Sequence, residues 1–150
     1  MSDNIASILN DLVETSKDGE KGFRTAAEDT KNAELKAVFL QRAQNCAAGA
    51  ADLQQLVARL GGNPEEGGSV AGAVHRGWVT LKAAVSNRTD LAILEECERA
   101  EDVAKARYRK ALEETLPEDI RLVVRRQYDG VMRNHDQIRD LRDRYRAKQT

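Results

Sequence analysis

Apolar residues recur three and four positions apart over four long stretches of this sequence, and neither of its two prolines falls inside one of them. From Asp3 to about Asp29 the row is Ile5, Ile8, Leu9, Leu12, Val13, Gly19, Phe23, Ala26 and Ala27, one face of a first helix. Thr30 and Asn32 are the possible N-caps of a second, whose row runs Leu35, Val38, Phe39, Arg42, Ala43, Cys46, Ala50, Leu53, Leu56, Val57 and Leu60. It stops at Gly61-Gly62-Asn63-Pro64, where glycine supplies a left-handed cap and proline prevents continuation. A loop to Ser69 leads into a shorter helix, Val70 to about Ser86, and Asn87-Arg88-Thr89-Asp90 breaks and recaps the chain. The third long helix runs from about Asp90 to Thr115 with Leu94, Cys97, Glu101, Ala104, Tyr108, Ala111 and Leu112 inward. Pro117 at a first helical position, with Glu118 and Asp119 near the positive dipole end, opens the fourth. Its inward row is Ile120, Val124, Gln127, Val131, His135, Ile138, Leu141 and Tyr145.

Connection lengths then set the topology. The short first and last links force antiparallel hairpins, whereas Gly61 to Arg88 can run the length of the bundle, so the second and third helices are expected to be parallel. That is the one-crossover arrangement of a ferritin-like four-helix bundle, all-α, with a short additional helix in the crossover; periodicity does not choose the crossover's hand. A length of 150 residues suits a single domain spanning 1–150. Charged residues at 33% and aromatics at 4% favour long amphipathic helices over strands. The formal net charge of -1 provides no bulk field for nucleic acid or an anionic membrane. Two cysteines, Cys46 and Cys97, are too few for a disulfide framework and suit small buried positions in a reducing compartment, so a cytoplasmic location is expected. The start of the chain has no basic segment followed by an apolar run, and no later run approaches a bilayer span.

Three stretches carry a resemblance. The run Leu12 to Phe23 (Leu-Val-Glu-Thr-Ser-Lys-Asp-Gly-Glu-Lys-Gly-Phe), the turn Leu60-Gly61-Gly62-Asn63-Pro64, and His75-Arg76-Gly77-Trp78 resemble an uncharacterised bacterial family of four-helix-bundle proteins of unknown function within the ferritin-like superfamily. The resemblance covers nearly the whole chain. It implies the fold and supplies no activity.

Ferritin-like di-iron proteins take a Glu from each of two helices and Glu-x-x-His from each of the other two. Counting back equally from each turn puts Glu20, Arg42, Glu101 and the Met132–His135 stretch at about one level, with Glu98 a turn away. Glu20 and Glu101 match the lone-Glu positions, and His135 matches the His of the last motif. The other ligands are replaced: Arg42-Ala43-Gln44-Asn45 stands on the second helix and Met132-Arg133-Asn134-His135 on the fourth. A guanidinium cannot ligate a metal and repels one. The expectation is therefore a central polar layer of Glu20, Arg42, Glu98, Glu101 and His135 in which Arg42 takes the metals' place, pairing with Glu101 and Glu20, with no cofactor. The alternative is a metal-binding oxidoreductase or storage protein holding one weakly bound iron, manganese or zinc ion on Glu20, Glu101 and His135. Arg42 discriminates, since it is buried and ion-paired in the first and swung away in the second.

Other features carry less. His75 and Trp78 lie three apart and form a possible partner surface, against the plainer role of Trp78 as the anchor of its helix. The arginines of the fourth helix exceed its aspartates, but a solvated face with charge pairs along the helix explains most of that excess, which argues against nucleic acid. The glycine-rich turn after the second helix lacks a phosphate-cradle ending. Gly19 and Gly22 within a helix point either to close helix packing or to room for a ligand beside Glu20. No nucleophile is placed beside either histidine. The residues thus read as a non-enzymatic, partner-binding module whose partner is another protein or a second copy of itself, and the family resemblance and fold analogy imply a stress-associated role.

Overall fold

The computed structural model describes residues 2–64 and 89–149. They form α1 (Ser2–Asp29), α2 (Ala33–Arg59), α3 (Asp90–Leu112) and α4 (Glu118–Gln149), with no strand among the described residues. The short crossover helix expected over Val70 to Ser86, and with it His75 and Trp78, lies outside the described residues.

Capping chemistry fixes the ends. Of the two candidates before α2 the cap is Asn32, whose Oδ1 accepts from the Leu35 amide at 3.1 Å. At the other end Gly61 has φ +80, and the amides of Gly61 and Gly62 donate to the carbonyls of Ala58 and Val57. These are the two bonds of a Schellman cap. Thr89 caps α3 through its Oγ1. Two boundaries differ from the sequence reading. α3 ends at Leu112 rather than Thr115, and the Arg121 guanidinium takes up the Leu112 carbonyl with two bonds of 2.9 and 3.1 Å. Leu116 precedes a proline and is biased out of the helical region, so the turn must begin before it. Pro117 stands one place outside α4, its carbonyl accepting the first helical bond from Arg121 at 2.8 Å.

Contacts between the ends show the directions. Thr30, after α1, donates to Asp90 at the start of α3 at 2.6 Å, and Arg59 at the end of α2 pairs with Asp119 at the start of α4 at 3.1 Å. α1 therefore runs antiparallel to α3, and α2 to α4, which makes α2 and α3 parallel with one long crossover between them. This is a ferritin-like four-helix bundle. Among the described residues its apolar interior is in two clusters. One gathers Leu9, Leu12, Leu53, Val57, Ile120 and Val124; the other gathers Phe23, Phe39, Ile93, Leu94, Ile138 and Leu141. Buried polar side chains occupy the level between them. No helix among the described residues is long and apolar enough to cross a membrane.

Candidate functional site

The mid-bundle level is built around one ion pair. Arg42 of α2 and Glu101 of α3 are 9% and 2% exposed, and Arg42 Nε donates to Glu101 Oε1 at 2.7 Å. A longer bond of 3.4 Å joins Nη2 to Oε2. The guanidinium carbon stands 5.6 Å from the centroid of the Phe23 ring on α1, a cation–π distance. Burial alone would lower the pKa of Arg42, but the charge and hydrogen bond of Glu101 outweigh it and leave the group more firmly protonated than a free arginine.

Beside this pair runs a chain of neutral polar groups. Tyr108 of α3 donates to Gln127 Oε1 of α4 at 2.8 Å and meets Ser16 of α1 at 3.3 Å, while Gln127 Nε2 donates to the Gly49 carbonyl of α2 at 3.2 Å. All four helices are thereby tied at one level. Burial pushes the Tyr108 hydroxyl up to about 12, with the Ser16 bond acting in the opposite direction. Burial likewise pushes the Cys46 thiol up to about 12, against the pull of Arg42, and holds Cys97 well above its ordinary value. Both cysteines are buried, un-ionised thiols at neutral pH.

The remaining members of the expected layer face elsewhere. Glu20 pairs along its own helix with Arg24 at 2.7 Å; the inward positions of α1 at this level are Ser16, Gly19 and Phe23. Glu98 pairs with Arg142, which places it on the α3–α4 seam. His135 is buried at 8% exposure, yet its Nε2 meets Asp102 at 2.7 Å and its Nδ1 meets Asp136 at 3.3 Å. Arg146 to Glu95, Arg142 to Glu98 and His135 to Asp102 form a ladder of cross-helix pairs down that seam. The depth of these residues follows from counting back along each helix. Their direction around the axis does not, and so Ser16, Asp102 and the Tyr108–Gln127 bond escape a sequence reading.

Chemically, this donor set does not fit a pair of metal ions. Both Glu101 oxygens are engaged by a guanidinium that carries a fixed charge where a cation would lie. Among the described residues no three His, Cys, Asp or Glu side chains are grouped to hold a metal ion.

A cavity of about 340 Å³ lies at the same level, lined by residues of all four helices. The ion pair and Tyr108 meet apolar wall from Phe23 and Val131, and Gly49 and Gly130 face it from α2 and α4.

The profile of a domain of unknown function, DUF2383, matches residues 4–114. No curated protein sequence matches the chain. Among solved structures, a mutant of Dps1 from Mycobacterium smegmatis superposes with a TM-score of 0.74 at 13% identity, covering 93% of this chain and 95% of that one. At that identity the likeness is one of fold.

Proposed function

The chain belongs to the DUF2383 family, whose function is unknown, and on that premise we propose that it is a non-enzymatic, ferritin-like binding module with a metal-free centre. The observation that carries this reading is the Arg42–Glu101 pair, buried where a di-metal protein would place its ions. The guanidinium supplies there the positive charge that a carboxylate at this depth requires. Its buried and paired position is what separates this reading from one in which Glu20, Glu101 and His135 hold a metal ion, since that set needs Arg42 turned away. A place in a bacterial cytoplasm, a stress-associated role, and a protein partner or second copy of the chain are parts of the proposal that rest on family resemblance and fold analogy.

Elemental analysis tests it. Protein produced with iron, manganese and zinc supplied should carry no stoichiometric metal, and an Arg42→Glu variant, which restores a carboxylate and removes the competing charge, should gain some. Near-stoichiometric metal in the unaltered protein, lost on Glu101→Ala or His135→Ala, would overturn the reading and make redox chemistry the next question.

A further inference from the structure

We propose that the mid-bundle cavity is a binding site for a small monocarboxylate with an apolar, preferably aromatic, body; the inference rests on the reading of the centre as metal-free. Size comes first. A volume of about 340 Å³ lies within the range of small-molecule pockets and would otherwise hold about eleven waters at liquid density.

Two glycines argue that the space is kept rather than left over. Gly49 and Gly130 sit inside α2 and α4, where alanine is the more favourable residue. A Cβ on Gly49 would come no closer than 3.5 Å to the Gln127 amide, and one on Gly130 no closer than 3.7 Å to Arg133. Packing therefore demands neither glycine. Both line the cavity, and a larger side chain at either would enter it.

Charge selects the class of ligand. Among the described lining residues the cations are the buried Arg42 and the exposed Arg133, against the one carboxylate Glu101, so the lining favours an anion over a cation. Arg42 is buried and bonds Glu101 through Nε and Nη2, leaving Nη1 without a hydrogen-bond acceptor among the described residues. A second carboxylate on that guanidinium would form a charge-assisted bond at a largely buried cation. Phe23, Val131, Ala100 and Ala104 supply the apolar wall for the rest of the molecule.

The test is calorimetric titration of the full chain with benzoate at low ionic strength, with benzamide and benzylamine as neutral and cationic counterparts of the same shape. Benzoate should bind with a Kd of about 1 mM or tighter. Benzamide should bind at least about tenfold more weakly, since it lacks the charge-assisted bond. Gly130→Leu, which meets only the end of Arg133, and Gly49→Leu, which also displaces the Gln127 amide, should lose benzoate, with urea unfolding of each variant checking that it remains folded. Absence of benzoate binding, equal binding of benzamide, or undiminished binding by both leucine variants overturns the site. Elemental analysis of the same sample separates the two proposals: a metal-free protein that ignores benzoate sinks only the carboxylate site, whereas stoichiometric metal sinks the reading of the centre and the site with it.

Discussion

Arg42 lies over an aromatic ring and against a carboxylate that is 2% exposed, so its energetic weight depends on what is left behind when it is removed. Arg42→Ala strands a buried negative charge, and the expected loss is about 3–5 kcal/mol in urea unfolding. Replacing both partners by leucine, as Arg42→Leu with Glu101→Leu, removes the unpaired charge together with its partner. The double variant should recover most of that loss, because buried pairs are often matched by apolar residues of similar volume. A double variant no more stable than Arg42→Ala would mean that the guanidinium acts through its packing on Phe23 rather than through Glu101. The same residue also shows how far the sequence carries. An arginine in an otherwise apolar row, at the depth of a glutamate on a parallel helix, is enough to anticipate a buried pair. That Glu20 turns to Arg24 is not anticipated, since neighbouring helical residues differ by about 100° around the axis and Gly19, not Glu20, faces inward.

At the scale of the helix, the glycines of α1, α2 and α4 have different reasons to be there. A Cβ on Gly19 would sit 2.9 Å from Cys46 Sγ, closer than such atoms approach, so α1 and α2 meet here only because the side chain is missing. Gly19→Ala should therefore lower stability by about 1 kcal/mol in urea unfolding, although the same change in an open helix raises it by about as much. Combining it with Cys46→Ala removes the obstructing sulfur and should turn the effect of the Gly19 change into a gain. Gly130→Ala, with nothing nearer than 3.7 Å, should stabilise on its own by about 1 kcal/mol. If Gly19→Ala stabilises as Gly130→Ala does, the α1–α2 contact is looser than the geometry indicates. Helix rows of this kind are legible because burial repeats with the helical period. Most of the residues assigned inward are buried, and the boundaries that moved are the two around Leu116-Pro117, where a proline's effect on its neighbour outweighs the apolar pattern.

For the whole molecule, the buried groups with raised pKa values set a limit on the alkaline side. Cys46 is pushed from its ordinary 9.0 to about 12, Cys97 also rises well above 9.0, and Tyr108 goes from 10.0 to about 12, in each case first through burial. All three are acids that keep their proton in the folded chain at a pH where the unfolded chain has lost it. The folded state then binds more protons than the unfolded one, so stability is level below the ordinary thiol value and falls as pH rises above it. With both thiols titrating, the slope is at most about 3 kcal/mol per pH unit, and Tyr108 steepens it further on. Urea midpoints followed from about pH 8 to about pH 10.5 under reducing conditions should decline along this course. The Cys46→Ala, Cys97→Ala double variant should show a shallower decline that begins only where Tyr108 titrates. Equal slopes in the two proteins would mean that the buried thiols do not carry the alkaline loss. The outcome bears on the centre itself, because a core that excludes charge from its thiols while retaining the Arg42–Glu101 pair leaves that guanidinium as the one buried cation near the thiols among the described residues, and so as the group on which an anion entering the bundle would settle.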